Sequence, residues 1–396
     1  MIKEDIDMLD FNFCVPTNFI FGKGTHTQAG DIMKELGYKR VLVNYGGNFL
    51  QETGLLDVIL KSLKNSGLEV TELDGVLPNP RLSLVYQGID LCRKENIDIV
   101  LAVGGGSTID TCKAIAAGVP YEGDVWDYYM TGAPVLKALP IGVILTIPAS
   151  GSESGCGSII TNEANGLKRG AGGPALYPQF AICNPELTYS LPTVQTACGI
   201  ADMYTHVCER YFSNTPDTYI IDALDEGFFR SLMDVAPKLL ADPNNYALRS
   251  EVMWMGTIAH NDVLGIGRDQ DWATHDMGHE LSGMYDTTHA FSMAVILIAW
   301  MKYVYRNNID RFIRYGTYAF GILPEDGNEE TAALKAIEKT ESFMKSIGMP
   351  VRLSQLQIDD SKFGEMAEKA LIGKTYIGNF VQLQKEDIMK IYELAK

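Results

Sequence analysis

Long hydrophobic runs are missing from this 396-residue sequence, and with them any reading as a membrane-spanning protein. Its most apolar window, Ala290–Trp300, is far short of the roughly 20 residues a spanning helix needs and reads as a buried helix. Positive charge is scarce: 33 Lys and Arg face 50 Asp and Glu, a formal net charge of −17. Such a surface repels phosphate backbones and anionic lipid, so neither nucleic acid nor a membrane surface is an expected partner. The seven cysteines (14, 92, 112, 156, 183, 198 and 208) are odd in number, scattered and free of any C-x-x-C pair. That excludes a disulfide framework and a cysteine-based zinc site, and it favours a reducing compartment. The opening MIKEDIDMLDF carries acids where a secretory leader carries bases followed by an apolar run. The expected location is the cytoplasm. Internal repeats and low-complexity segments are absent too, which removes solenoid and disordered architectures.

What is present changes character halfway along. In the first half, Lys39–Tyr45, Leu68–Leu73, Ile97–Val103, Ile141–Ile147 and Phe180–Cys183 are β-branched apolar runs that read as strands. Between them Gln28–Leu36, Leu55–Asn65, Leu84–Asn96 and Thr108–Gly118 have helical spacing. Such alternation predicts a mostly parallel sheet covered by helices, with ligands beyond the carboxyl ends of the strands. From about Thr193 the strand signals stop, and Thr193–Phe212, Ile220–Leu239, Leu248–Gly265, Asp271–Met284 and Ala333–Ser346 are amphipathic. The expected division is an α/β dinucleotide-binding domain over residues 1–191 and an all-helical metal and substrate domain over residues 192–396.

Gly104-Gly105-Gly106-Ser107 follows the apolar third strand and opens a helix. Glycines let the backbone approach a ligand closely, and free N–H groups at a helix start attract an anion such as a pyrophosphate. Ser107 and Asp110 also have the spacing of a capping box, expected to form here as well. The segment lacks the G-x-G-x-x-G fingerprint, so an ordinary Rossmann site is not implied. Tyr45-Gly46-Gly47-Asn48 and Thr146–Glu153 end two other strands and are further candidates for gripping a nucleotide.

Only six histidines occur, five of them (206, 260, 275, 279 and 289) from residue 206 to residue 289. Asp202 and His206 are four apart, on one face of a helix, a spacing that suits two ligands of one ion. His275 and His279 are likewise one turn apart. A straight helix would carry His289 about 21 Å from His275, at 1.5 Å per residue. Gly283 and Asp286-Thr287-Thr288, however, signal a stop and a fresh helix start, which brings His289 back beside His275. Asp202, His206, His275 and His289 therefore form a candidate nitrogen- and oxygen-rich site for Fe²⁺ or Zn²⁺, between which affinity rules do not choose.

These segments, with Phe21-Gly22-Lys23-Gly24, Pro78-Asn79-Pro80, Lys113, Gly151-Ser152-Glu153 and Asp271-Trp272-Ala273-Thr274, make the whole chain resemble the iron-containing (group III) alcohol dehydrogenase family, in particular its butanol dehydrogenase and NADPH-dependent aldehyde reductase subgroup. The resemblance implies a dehydroquinate synthase-like architecture with the site in the cleft between two domains. It implies metal ligation by Asp202, His206, His275 and His289, with His279 as an additional catalytic histidine. It places a bound NAD(P)(H) against Gly46, Gly47, Asn48, Gly104, Gly105, Gly106, Ser107 and Asp110, with Thr146, Ser152, Lys168 and Leu187 as further contacts. Departures from the subgroup are Asn48 and Phe49 in place of glycine and serine and Gln51 in place of a basic residue; Thr288 in place of proline and Ala290 in place of glycine depart from the wider family, the latter a change the reductase subgroup tolerates. The first three border the expected adenosine 2′-phosphate position and leave the coenzyme open. The expected function is interconversion of a primary alcohol and its aldehyde by a metal-dependent homo-oligomer, a dimer first of all. Two rivals stand beside it: a non-redox lyase like dehydroquinate synthase, and a non-catalytic metal- and nucleotide-binding module.

Overall fold

Alternate residues of the β-branched runs face opposite sides of one sheet, and both sides are dry. Val41, Val43, Ile99, Leu101, Val103, Ile144 and Ile182 lie in one apolar cluster, and Leu42, Val100, Ala102, Val143, Leu145 and Ala181 in another. A strand buried on both faces has no reason to alternate polar with apolar residues, so such runs read as continuously hydrophobic. In this computed structural model residues 8–324 and 328–396 are described. Residues 1–7, most of the acidic stretch that argues against a leader, lie outside them.

The strands are β1 (Asn18–Phe21), β2 (Arg40–Asn44), β3 (Glu69–Leu73), β4 (Ile99–Gly104), β5 (Ile141–Leu145), β6 (Gly157–Asn162), β7 (Leu167–Gly172) and β8 (Phe180–Cys183). Six of them pair in parallel in the order β1-β8-β5-β4-β2-β3, while β6 and β7 form a separate antiparallel hairpin. The chain runs outward from β2 to β3, then from β4 through β5 to β8 in the other direction. The order therefore reverses between β2 and β4, the crevice where open α/β sheets take their ligands. Periodicity left two features unread. The edge strand β1 is short, and the hairpin turns at Asn165-Gly166, with Gly166 at φ 65°; that dipeptide is a turn signal in its own right.

Helices of this half are α1 (Ala29–Glu35), α2 (Phe49–Glu52), α3 (Leu55–Asn65), α4 (Leu82–Glu95), α5 (Gly106–Gly118) and α6 (Trp126–Thr131). Then follow α7 (Thr193–Tyr211), α8 (Tyr219–Ala241), α9 (Tyr246–His260), α10 (Ala273–Tyr285), α11 (His289–Val304), α12 (Ile309–Phe320), α13 (Glu329–Ser346), α14 (Phe363–Ala370) and α15 (Lys385–Leu394). Beyond β8 the described residues contain no strand. α11 is buried along almost all of its length and packs against α7, α10, α13 and α15, which explains why its sequence is apolar all round.

The chain forms two compact units that interleave in sequence. One contains the sheet, residues Cys14–Pro192 with Pro243–Thr257; the other contains 8–13, Thr193–Asp242 and the described part of Ile258–Lys396. No described helix is long and apolar enough to cross a membrane, and all seven cysteines are free. The capping box is corrected. Gly105, extended at φ −98°, is the N-cap of α5 with no side-chain bond, and Asp110 is bonded elsewhere.

A glycine cradle and a carboxylate–imidazole cluster

In the sheet unit, the turn from β4 into α5 is built tightly enough that glycine is required. A Cβ on Gly106 would lie 2.4 Å from Ser150 Oγ, one on Gly105 2.8 Å from Ile147 Cβ, and one on Gly104 2.2 Å from Thr108 Oγ1. Ser107 lies in the first turn of α5, where N–H groups have no helical acceptor. Beside it, Thr146 N donates to Gly104 O at 3.0 Å, and the fully buried Thr146 Oγ1 has no hydrogen-bond partner among the described residues. A cradle too tight for any side chain and an orphaned hydroxyl fit a phosphate-bearing ligand. Gly46 and Gly47 form the exit of β2, and Asn48 leads into α2.

Two other candidates turn out to brace the cradle. Asp110 is partly buried; its Oδ1 accepts from Ser152 Oγ at 2.6 Å and its Oδ2 from Ile159 N at 2.9 Å. Lys113, fully buried, donates to Ser152 O, Ser152 Oγ, Gly155 O and Gly157 O at 2.7–2.9 Å. Burial pushes the Asp110 carboxyl up and pulls the Lys113 amine down to about 8, each opposed by the other's charge. Lys168 on β7 is buried and donates to Asn79 Oδ1 at 3.0 Å. Leu187 packs against the apolar cluster around Tyr45. Of the aromatic residues, Tyr129 is core, bonded to Ser158 and stacked on Trp126, whereas Trp254 meets Phe19 and Phe21 edge-on.

In the helical unit, α7 carries Asp202 and His206, α10 carries His275 and His279, and His289 is the first residue of α11. The reversal between α10 and α11 uses Asp286 in the left-handed region at φ 52° and Thr288 as N-cap, where the sequence signals stood. The effect is convergence. Asp202, His275 and His289 each offer a ligand atom within 4.8 Å of the others. His206 falls outside that trio, yet its Nε2 is 3.5 Å from Asp202 Oδ1, as is His289 Nε2, and its ring is 4.4 Å from that of His275. His279 stacks on His289 with ring centroids 5.5 Å apart.

Spacing rules overlooked Glu209. Fully buried on α7, it accepts from His275 N at 3.0 Å and from His275 Nδ1 through its other oxygen. A proton on Nδ1 leaves the Nε2 lone pair of His275 free to act as a ligand, the arrangement that commonly orients metal-bound histidines. The signal was present: Asp202, His206 and Glu209 stand at i, i+4 and i+7, a polar stripe on a helix that is buried from Gly199 to Tyr211. Burial pulls His206 far below its usual range, reinforced by His260, His275, Arg210 and His289. For His275 burial acts downward too, but Glu209 outweighs it. His206 Nδ1 and His275 Nε2 are buried without a hydrogen-bond partner among the described residues. Neutral imidazoles beside a carboxylate are donors that suit Zn²⁺ or Fe²⁺. The residues fit a metal.

A glycine cradle at the reversal point of a parallel sheet, and a carboxylate–imidazole cluster among helices, are the marks of dinucleotide- and metal-dependent oxidoreductases. The chain belongs to the iron-containing alcohol dehydrogenase family: residues 16–185 match that family and residues 196–396 match its C-terminal region. A probable NADH-dependent butanol dehydrogenase of Bacillus subtilis is 40% identical over 98% of this chain and 100% of its own length. The NADPH-dependent aldehyde reductase YqhD of Escherichia coli is 34% identical over 98% of this chain and 100% of its own. The crystal structure of NADH-dependent butanol dehydrogenase A from Thermotoga maritima superposes with a TM-score of 0.94 at 37% identity, covering 98% and 99% of the two chains.

Proposed function

We propose that this chain interconverts a primary alcohol and its aldehyde with NAD(P)(H) and one Fe²⁺ or Zn²⁺, as a butanol dehydrogenase or broad-range aldehyde reductase. The observation that carries the reading is the convergence of Asp202, His275 and His289, with His206 beside them, in a chain related to such enzymes over its full length. In this reading Asp202, His206, His275 and His289 hold the metal, and Glu209 orients His275. Gly46, Gly47, Asn48 and Gly104–Ser107 border the coenzyme, Thr146 offers it a hydroxyl, and Asp110, Ser152 and Lys113 keep the cradle rigid. Lys168 and Leu187 flank the same coenzyme site. When bound, the metal supplies Lewis acidity to a carbonyl oxygen and the nicotinamide supplies hydride. His279 relays the proton that the product alcohol needs, since an imidazole titrates near neutrality and this one lies beside His289. Residues 1–191 then act as the coenzyme domain and 192–396 as the metal and substrate domain, in a cytoplasmic homo-oligomer, a dimer first of all, whose partners are small alcohols and aldehydes.

The test is to load the purified chain with Fe²⁺ or Zn²⁺, offer butanal with NADH and with NADPH, and follow loss of reduced nicotinamide by its near-ultraviolet absorbance. Stoichiometric oxidation with formation of butanol is expected. Nucleotide and metal binding with no net oxidation on any aldehyde would point instead to a non-redox lyase or a binding module.

A further inference from the structure

We propose that Trp272 is a positioning residue whose indole orients the His206 imidazole within the metal cluster, as Glu209 orients His275. The inference rests on the metal reading of the helical unit given above. The two imidazoles are fixed by different means. Glu209 accepts from both the backbone N and the Nδ1 of His275. His206 has no carboxylate behind it in this way. Its Nδ1 is buried without a hydrogen-bond partner among the described residues, and its Nε2 faces Asp202 Oδ1 at 3.5 Å. The ring torsion of a histidine is broad, so an imidazole without an orienting bond holds its direction through what its ring packs against.

Three rings lie against it. The centroids of His260 and His275 are 4.4 Å away, and that of Trp272 is 5.6 Å away. The indole is the largest of the three, and it meets both ligand imidazoles at a steep angle. The angle is 68° to His206, and 66° to His275 at a centroid distance of 5.4 Å, the edge-to-face arrangement that aromatic pairs favour. The indole is itself pinned. The guanidinium of buried Arg210 lies 4.7 Å from its centroid, and Arg210 donates to His206 O and to Asp262 Oδ1, both at 3.1 Å.

A tryptophan that merely filled space would sit on ordinary backbone. Trp272 is instead the N-cap of α10 at φ 67° and ψ 3°, the left-handed region, where a bulky side chain is an outlier. Such a conformation persists where its surroundings over-determine it. Here the buried Asp271 does so. Its N donates to Glu209 O at 2.8 Å, its Oδ1 accepts from Ala273 N at 2.9 Å, and its Oδ2 accepts from Phe380 N at 2.8 Å and Asn379 N at 3.1 Å. Asn379 Nδ2 adds a bond to Gln270 O at 2.8 Å, and Trp272 O accepts from Asp276 N at 3.0 Å. One turn is thus tied to α7, to α10 and to the segment 378–380. Glycine would adopt this φ freely, so what the strained turn provides is the ring.

The experiment compares the full chain with its Trp272→Phe, Trp272→Ala and Trp272→Gly variants by two measurements. Competitive chelation gives the affinity for Zn²⁺, and the visible bands of the Co²⁺-loaded chain report the geometry of the ligands. The alanine and glycine variants should bind Zn²⁺ about 10- to 100-fold more weakly and show shifted Co²⁺ bands. Phenylalanine, which keeps a ring, should restore both. Glycine relieves the backbone, and thermal unfolding of the metal-free chains checks that each variant folds. Unchanged Zn²⁺ affinity and Co²⁺ bands in the alanine or glycine variant, whatever its thermal stability, overturn the inference. So does a phenylalanine variant that binds no better than alanine. Failure of the unsubstituted chain to bind Zn²⁺ or Co²⁺ overturns the metal site itself.

Discussion

The two units prepare for their ligands in opposite ways. In the sheet unit the groups facing the cradle are backbone apart from the Thr146 hydroxyl, and the charges behind it are satisfied: Lys113 has four acceptors and Asp110 three donors, counting Ser158 Oγ on its carbonyl. In the helical unit the facing groups are side chains, and ring nitrogens of His206 and His275 are buried with no bond made to them. A buried polar atom without a partner costs roughly 1–3 kcal/mol, so a chain keeps several together only where a ligand completes them. In the function proposed above, the sheet unit offers a nucleotide a preformed surface, and an ion completes the imidazoles of the helical unit. Loss of one ligand should therefore be felt most in the second unit, and loss of one glycine locally in the first.

The sharpest way to break that contrast is Asp202→Ala. Asp202 is the single carboxylate of the cluster, within 3.5 Å of both His206 and His289. Its removal should drop bound metal, measured by atomic emission, far below one per chain, and lower turnover on the order of a thousandfold, while nucleotide affinity holds. Retention of a full metal complement would dissolve the cluster as a site. Next comes His279→Ala, for which turnover should fall about a hundredfold or more with metal content intact. Loss of metal from this variant would make His279 a ligand and refute the division of roles. Glu209→Gln keeps the shape but weakens the bond to His275 Nδ1, and metal affinity by competitive chelation should drop about 10- to 100-fold. An unchanged affinity would leave Glu209 with a packing role only. The smallest effect belongs to Gly106→Ala in the other unit. With Ser150 Oγ only 2.4 Å from the new methyl, overpacking of about 1–3 kcal/mol should weaken NADH about tenfold in an equilibrium titration and leave bound metal at one per chain. If metal were lost as well, the two units would not be independent.

Much of this was legible in the chain itself. Continuous β-branched runs announced the parallel strands, and the stop-and-start signals at Asp286–Thr288 announced the reversal that brings His289 to His275. Misreadings came where a local rule met a stronger tertiary demand. Asp110 has the spacing of a cap for α5 but serves the loop at Ser152 and strand β6 instead, because a partly buried carboxylate takes the strongest donors within reach. Glu209, sharing a helical face with Asp202 and His206, passed unnoticed because its partner lies 66 residues away in sequence.

Composition, periodicity and punctuation, each a property of neighbouring residues, were enough to determine the parallel sheet, the helical half, the glycine cradle and the pool of imidazoles. Tertiary structure alone decided which atoms meet: that Asp202, His275 and His289 come within 4.8 Å, that Glu209 stands behind His275, and that Asp110 and Lys113 brace the cradle. Helix and strand preferences are set within a few residues by backbone geometry, whereas the partner of a buried polar atom is chosen by whatever the folded chain brings within about 3 Å of it.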